Sequence, residues 1–362
     1  MTVPKKNQLV GVDIGSHSIK LVEIDDGKKG MVLRNFGVIQ LPPEAIVEGS
    51  IKEMEIVSTA LRSLFRNLKV KNKNVATSIS GFSVIVKKIT LSEKAESELE
   101  ATIQDEAEQY IPFDIDEVNL DFDILRAGID SDQSGPSKGK GESSKMDVML
   151  VAAKKDIIDD YVSLLQVSGL NPVVLDVDAF ALENAFEMAS DGSEGCYALV
   201  NIGAEELGIN AVKDGISLFT RDSSYGGFQI TEAIMTEFSV SYEEAEKIKL
   251  GGQGVEKGKE KIEEIFTSVA SEWVQEIKRA LDFVASTYPD QRIEKIVVGG
   301  GSANIPGFME LLKKESGLPV EELNPFANLI IDQKSFDPKY LKEMGSQAAV
   351  AVGLALRSIG DK

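Results

Sequence analysis

Two short glycine turns carry the residues whose types and spacing suggest chemistry. The first reads Asp13-Ile14-Gly15-Ser16-His17-Ser18-Ile19-Lys20 and follows a predicted strand. Glycine lets backbone N–H groups approach a phosphate closely, and the hydroxyls of Ser16 and Ser18 can donate further hydrogen bonds. Asp13 can hold Mg²⁺ through water, and Lys20 can neutralise a terminal phosphate. The alternative is an ordinary hairpin turn.

The second turn, Val200-Asn201-Ile202-Gly203-Ala204, matches the first without gaps at an offset of 188 residues, which places Asn201 on Asp13. Asp214-Gly215 likewise matches Asp26-Gly27. Each half therefore reads strand, glycine turn, strand, Asp-Gly turn, strand, helix. Such a repeat indicates two similar lobes that face each other, with a ligand site between them. A later triple glycine, Gly299-Gly300-Gly301, favours this site over a pair of ordinary turns.

Composition excludes several other functions. The formal charge is −20, whereas nucleic acids and anionic membranes attract basic surfaces, so no nucleic-acid partner is expected. A single Cys and a single His exclude disulfide frameworks and zinc sites built on several such ligands. The sequence contains no P-loop, no GxGxxG after a strand and no kinase catalytic loop. With no signal peptide or long apolar run, a cytoplasmic location is the expectation.

Periodicity predicts the elements that position the turns. Each glycine turn belongs to a three-stranded meander. Helices are predicted at about 51–68, at 92–110 with Ser92 as N-cap, at 256–288 with Trp273 in its core stripe, and at 344–359. Residues 93–123 hold twelve acids and one base. This stretch is either a solvated helix face or an acidic subdomain that docks a basic partner segment. Residues 128–145 are predicted to form a mobile loop.

The motifs resemble those of the actin-like ATPases. Val12 to Lys20 is similar to the first phosphate motif, Val200 to Ala204 to the second, and Val298 to Ala303 to the adenosine motif. Segments 178–181 and 345–356 lie where the connecting helices belong, and 246–249 is similar to the helix that contacts adenine and ribose. The resemblance implies ATP and Mg²⁺ as ligands. The implied nucleotide-binding residues are Asp13 (also the metal ligand, through water), Gly15, Ser16, His17, Ser18, Lys20, Asn201, Gly203, Ala204, Glu246, Lys249, Gly299, Gly300, Gly301 and Ser302.

Within these ATPases, the stretches 109–114, 175–183 and Arg221-Asp222 before Gly226-Gly227 resemble the PilM family of type IV pilus assembly proteins, relatives of FtsA. The implied fold is α/β: a two-lobed actin-like (RNase H-like) ATPase fold with an inserted FtsA-type small subdomain. The implied domains are 1–85 as the core of the first lobe, 86–170 as the inserted SHS2 subdomain, and 171–190 as the connecting segment of the first lobe. Residues 191–343 are the second lobe with a helical subdomain at 236–288, and 344–362 are a connecting helix that returns to the first lobe.

The resemblance also implies partners. They are the N-terminal cytoplasmic tail of the inner-membrane protein PilN, the PilN/PilO complex and the pilus motor ATPases, with self-association as a further property. The tail is expected to bind within 86–170, near the strand 84–89 and the helix 92–110. The location implied is the cytoplasmic face of the inner membrane. A filament-forming division protein like FtsA and a sugar kinase of the same fold are the alternatives.

One position departs from the family pattern. The second phosphate motif usually carries Asp, which helps to hold Mg²⁺ and the attacking water, and here that position is Asn201. Asn lacks the charge, so we expect ATP binding with weak or no turnover. Asp178 is the candidate catalytic residue that orients water, or it is a helix N-cap. Arg221-Asp222 is expected to be a structural ion pair or to line the cleft.

Overall fold

The computed structural model describes residues 8–127, 145–190, 194–251 and 258–361, so the loop predicted at 128–145 lies, apart from Lys145, outside the described residues. The strands are β1 Val10–Ile14, β2 Ser18–Gly27, β3 Gly30–Gln40, β4 Ile46–Val47, β5 Ser50–Ile51, β6 Asn74–Ile79, β7 Val84–Ser92, β8 Val118–Ala127, β9 Lys145–Lys154, β10 Asn171–Val177, β11 Cys196–Ile202, β12 Leu207–Lys213, β13 Ile216–Ser223, β14 Lys295–Gly299 and β15 Val320–Glu322. The helices are α1 Met54–Asn67, α2 Glu96–Ala107, α3 Lys155–Val167, α4 Asp178–Ala189, α5 Gly227–Phe238, α6 Tyr242–Lys249, α7 Lys259–Thr287, α8 Phe308–Ser316, α9 Pro338–Met344 and α10 Ala349–Ala355.

Two five-stranded sheets share one topology. The first has the order β10-β6-β1-β2-β3, and the second has the order β15-β14-β11-β12-β13. In both, the strand that precedes the glycine turn pairs antiparallel with the strand after it and parallel with a strand from later in the same lobe. The sequence repeat therefore corresponds to two lobes with equivalent sheets, as the glycine turns predicted.

Helices α4 and α10 pack against each other between the two sheets. The backbones of the two helices are in direct contact where they pack. A Cβ on Gly353 of α10 would collide with the carbonyl group of Ala181 in α4, so the contact requires glycine at this position. Gly11 of β1 lies against the backbone of α10 in the same way. The helix predicted at 344–359 is shorter than expected. This stretch contains the last residue of α9, Met344, then a 3₁₀ turn at 346–348 and then α10.

A three-stranded antiparallel sheet, β7-β9-β8, is inserted between β6 and α3 of the first lobe. One face packs on α2, with Leu99, Ile103 and Ala107 buried against Val148 and Leu150 of β9. Ser92 does not cap α2. It still pairs with Lys145 at the end of β7, and Ala95 occupies the N-cap position.

The inserted sheet spans residues 84–154, whereas the predicted subdomain spans residues 86–170. Helix α3 packs in the first lobe, where Tyr161, Leu164 and Leu165 join the core of β1, β2 and α1. Strand β7 also differs from the expected open edge. Its backbone runs beside β13, and the hydroxyl of Thr220 donates to the carbonyl of Val86 at 3.4 Å. We therefore propose that the inserted unit comprises β7, α2, β8 and β9.

The second lobe has a hydrophobic core of its own. Trp273 of α7 is fully buried there, as predicted, and packs edge-on against Phe308 with ring centroids 5.6 Å apart. Its indole N–H donates to Gln229 of α5 at 2.9 Å. This bond satisfies a buried polar group and fixes α7 against α5, the helix that follows the second meander.

Within residues 8–127, 145–190, 194–251 and 258–361, no helix is both long and apolar enough to cross a bilayer.

Candidate functional site

A cavity of about 370 Å³ lies between the two lobes. Both glycine turns, the start of α4 and the triple glycine contribute to its wall. The sequence-predicted site residues that line it are Asp13, Gly15, Ser16, His17, Ser18, Lys20, Asp178, Asn201, Gly203, Ala204, Glu246, Lys249, Gly300, Gly301 and Ser302. Gly299 is not on this wall: a Cβ there would point at Leu182 and Ala349, so the residue allows α4 and α10 to pack closely.

The first turn is held by strand pairing. Asp13 of β1 and Lys20 of β2 are register partners, and Lys20 Nζ lies 3.2 Å from Asp13 Oδ2. The amide of Gly15 donates to the carbonyl of Ser18 at 3.2 Å, which closes the turn. Both charged side chains are largely buried and border the cavity. The turn therefore presents one cation, one anion and two serine hydroxyls to a ligand.

The second turn has the same backbone geometry. The amide of Gly203 donates to the carbonyl of Glu206 at 2.8 Å, the counterpart of the Gly15–Ser18 bond. The amide of Phe228, in the first turn of α5, donates to the carbonyl of Ala204 at 2.7 Å. The start of α5 thus supports this turn.

The triple glycine closes the cavity beside the second turn. Gly300 has φ +89°, a conformation that favours glycine, and a Cβ there would collide with the carbonyl of Ile202. Its amide donates to the carbonyl of Ser346 at 2.8 Å, and the hydroxyl of Ser302 donates to the carbonyl of Gly203 at 2.7 Å. These hydrogen bonds join the triple glycine, the second turn and the segment at Ser346 into one wall.

At α6, a buried lysine joins a polar network. Lys249 Nζ lies 2.6 Å from Glu246 Oε1 and 2.9 Å from the hydroxyl of Thr231, which itself donates to Glu246. Burial lowers the pKa of Lys249. Helix α6 begins with a capping box, in which Ser241 accepts a hydrogen bond from the amide of Glu244 at 3.3 Å.

His17 of the first lobe reaches α6 of the second lobe. Its Nδ1 and the hydroxyl of Tyr242 share a hydrogen bond of 2.8 Å. Burial lowers the pKa of His17, and the nearby Glu246 opposes that shift. At neutral pH the imidazole is therefore uncharged, and its role in the described structure is to connect the lobes.

Asp178 is the first residue of α4, not its N-cap, which is Val177. Its Oδ1 accepts a hydrogen bond from the hydroxyl of Ser78 at 2.5 Å. Burial raises the pKa of Asp178 to about 7, and the negative charge of Asp13 adds to the shift. A carboxyl group with a pKa near neutrality can accept or release a proton under physiological conditions.

Two further carboxylates of the second lobe line the cavity. Sequence reasoning missed Glu206, whereas for Asp222 a place in the cleft was one of two expectations. Glu206 Oε2 accepts from the hydroxyl of Ser80 at 2.7 Å, and Asp222 Oδ2 accepts from the amide of Gly81 at 3.0 Å. Burial raises the pKa of both carboxyls, and for Glu206 the negative charge of Asp222 adds to the effect. The repeat could have indicated Glu206, because the offset of 188 residues matches it to Ser18 of the first turn.

Arg221 and Asp222 do not pair with each other. Side chains alternate across a strand, so Arg221 of β13 points away from the cavity, where it lies 2.7 Å from Glu276 of α7. Asp222 lines the cavity. The structure thus gives Arg221 a structural role and Asp222 a place in the cleft.

The cavity fits a nucleotide. Two glycine turns, serine hydroxyls and Lys20 suit phosphates, and the network at α6 offers polar partners to a base and sugar. Among the described residues, no group of three or more candidate ligands is arranged to hold a metal directly. A magnesium ion here would rely on phosphate and water as well as on Asp13, as that ion commonly does.

Two equivalent sheets, crossing helices between them and a cavity at two glycine turns define the actin-like ATPase fold. Structures of low identity share it. A protein for ethanolamine utilisation, EutJ from Carboxydothermus hydrogenoformans, matches with a TM-score of 0.57 and 18% identity over 98% of this chain and 90% of that chain. An MreB of Spiroplasma citri bound to ADP matches with a TM-score of 0.52 and 13% identity over 97% and 95%.

Within this class, the sequence profile of the type IV pilus assembly protein PilM matches residues 11–359, so the chain belongs to the PilM family. The structure is also similar to that of a PilM–PilN type IV pilus biogenesis complex, with a TM-score of 0.84. The sequences are 29% identical over 98% of this chain and 99% of that one.

Proposed function

We propose that this chain is a nucleotide-binding adaptor of the type IV pilus machinery, which docks the N-terminal tail of PilN. The observation that carries the proposal is the similarity to a PilM–PilN complex over 98% of the chain, together with family membership. The same similarity disfavours a sugar kinase or a filament-forming division protein. The adaptor would act at the cytoplasmic face of the inner membrane, next to the PilN/PilO complex and the pilus motor ATPases. Self-association is a further part of this proposal.

ATP with Mg²⁺ is the ligand proposed for the cavity. Lys20 and the backbone of the Gly15 and Gly203 turns would hold phosphates, and Glu246 with Lys249 would orient the base and sugar. Bound magnesium would supply positive charge at the phosphates. Because Asn201 brings no charge to the second turn, we propose that turnover is weak and that the nucleotide acts mainly by holding the two lobes together.

The inserted unit is the proposed docking site for PilN. Its strand β7 is covered by β13, whereas β8 is an edge of the inserted sheet and pairs with β9. Exposed Asp121 and Asp123 lie on β8, while Phe122 between them joins the core of the unit. An extended tail added along β8 would gain main-chain hydrogen bonds, and these acids would steer basic residues of the tail.

The register of the inserted sheet allows a clean deletion test. Val84 of β7 and Ala153 of β9 are partners in adjacent strands, so their Cα atoms lie within about 6 Å. A two-residue turn can therefore replace residues 85–152 while Val84, Ala153 and α3 keep their places in the first-lobe core. Deleting 86–170 instead would remove α3 and destroy that core.

The experiment titrates a synthetic peptide with the N-terminal sequence of the cognate PilN against the full chain and against this deletion. Binding to the full chain only, with equal ADP binding in both, is the expected result. Equal peptide affinity in both proteins would contradict the docking site and move it to the lobes. A second pair refines the position: replacing Asp121 and Asp123 by Asn should weaken binding several-fold at low salt. Replacing Glu98 and Glu100 by Gln, on the exposed face of α2, should leave peptide binding unchanged.

A further inference from the structure

The first lobe carries a basic surface at the end that is remote from the cleft. Between Glu55 and Glu93 the sequence contains no acidic residue, although the formal charge of the chain is −20. Five bases of this stretch are exposed at the C-terminal end of α1 and in the loop before β6. These five residues form a surface that we name the basic end: Arg62, Arg66, Lys69, Lys71 and Lys73.

The basic end has no counter-ion within the described residues. Arg62 donates to the carbonyl of Val167 at 3.1 Å, and Arg66 donates to the hydroxyl of Ser63 at 3.5 Å. Lys73 lies over an aromatic ring, 4.7 Å from its centroid. The dipole of α1 explains a base in the last turn of that helix, but it does not explain the lysines of the loop. Five exposed positive charges are therefore available to an acidic partner.

The basic end and the inserted unit lie at opposite ends of β6. The loop with the lysines leads into Asn74, the first residue of β6, whereas the inserted unit follows Ile79, its last residue. A strand of six residues separates these points by roughly 17 Å. The cleft lies at the second of the two ends, because Ile79 lines the cavity.

The inserted unit carries the opposite charge on α2. This helix contains no basic residue and packs on its sheet through one face, which is buried. Glu98, Asp105 and the C-cap residue Glu108 are exposed and lie seven and three residues apart, so they share the side of the helix that faces away from the sheet. The first lobe thus presents a basic cluster at one end and an acidic helix face at the other.

From this arrangement we infer that the basic end binds the acidic face of α2 in a second copy of this chain. The inference rests on the proposed function, because it specifies the surfaces through which self-association occurs. The two surfaces differ, so the contact is head-to-tail, and each dimer keeps one free surface of either kind for further copies. The net charge of each copy opposes association at long range, so close pairing of opposite charges must hold the copies together. The contact uses no residue of the cavity wall or of β8.

Charge reversal tests this contact by sedimentation velocity at low salt, about 50 mM, and at high salt, about 500 mM. The wild type should form dimers and larger species at low salt and dissociate at high salt. Lys69→Glu with Lys71→Glu should weaken self-association at least about tenfold, and so should Glu98→Lys with Asp105→Lys. Lys28→Glu with Lys29→Glu changes the net charge as much as the first pair does, but on the hairpin between β2 and β3. This control should weaken association less than about twofold.

A mixture of the two reversed variants distinguishes a specific contact from a general effect of charge. Each variant keeps one intact surface, so an equal mixture should form heterodimers that do not grow further. A chain with all four reversals has opposite charges again and should regain self-association. Melting temperatures of all variants serve as the control for folding.

A wild type that stays monomeric at low salt would overturn the inference, as would a mixture without heterodimers or a control variant that weakens association equally. Binding of a monomeric wild type to phosphatidylglycerol vesicles, lost in the Lys69 and Lys71 variant, would assign the basic end to a membrane and overturn it too. If that monomeric wild type still binds ADP and the PilN tail, the proposed adaptor function stands and this inference alone fails. If the wild type binds neither but self-associates as described, the adaptor function fails and the contact stands.

Discussion

Lys20 Nζ lies 3.2 Å from Asp13 Oδ2, across two paired strands at the mouth of the first glycine turn. Their counterparts in the second lobe are Asn201 and Gly208, which pair in the same register without charge. The duplicated lobes therefore differ where a ligand would meet them. The first lobe supplies the cation and its counter-ion, and the second supplies backbone groups and a different set of acids.

Lys20→Met should weaken ADP binding about tenfold or more. The change removes the cation that borders the phosphate turn and leaves Asp13 unpaired beside the ligand. Calorimetry with Mg–ADP measures it. Lys213→Met is the control, since Lys213 lies on β12, outside the cavity wall. Equal losses in the two variants would show that Lys20 does not contact the ligand.

Asn201→Asp should raise phosphate release from ATP, because a carboxylate at this position supplies charge that helps to hold magnesium. The measurement is steady-state phosphate release at saturating Mg–ATP, with nucleotide affinity determined in parallel. A variant that binds ATP as the wild type does, yet releases phosphate no faster, would show that metal charge is not limiting. The positioning of water by Asp178 would then be the step to test.

Asp178 should make stability depend on pH. Its pKa is about 7 in the folded chain and near 3.8 when unfolded, so the folded state binds the additional proton between these values. Stability from this group therefore falls as pH rises from about 4 to about 7. Relative to wild type, Asp178→Asn should gain about 2 kcal/mol in unfolding free energy between pH 5.5 and pH 8. Urea unfolding at the two values measures this, and a constant difference would contradict the shifted pKa.

Gly300→Ala should lower stability by several kcal/mol and abolish the rise in melting temperature caused by ADP. The new Cβ would be strained at φ +89° and would collide with the carbonyl of Ile202. Gly307→Ala is the matched control: its φ is +82°, but a Cβ there meets nothing within 4 Å. The control should cost only about 1 kcal/mol and keep the effect of ADP. Equal stability and an equal effect of ADP in both variants would show that the triple glycine is not part of the nucleotide site.

The repeat made much of the fold predictable. The spacing from Asp13 to Asn201 fixed the equivalence of the two sheets, because each half carries the same strand and turn signals. The capping box of α6 can also be predicted from the local sequence, because Ser241 and Glu244 are only three residues apart. Contacts between distant segments carried no such signal. Examples are the bonds from Ser80 to Glu206 and from Gly81 to Asp222, the pairing of Arg221 with Glu276, and the cover of β7 by β13. The earlier end that we propose for the inserted unit also depends on such contacts, since α3 packs on residues far away in sequence.

Capture from membranes tests the central claim most directly. The full chain, immobilised and loaded with Mg–ADP, is exposed to detergent extracts of membranes from cells that assemble type IV pili. Retained proteins are then identified by mass spectrometry. The account predicts that PilN is retained by the wild type and lost in the deletion of residues 85–152, while both proteins bind ADP equally. Retention of PilN by the deletion variant, or its absence from the wild-type capture when the synthetic tail also fails to bind, would contradict the account.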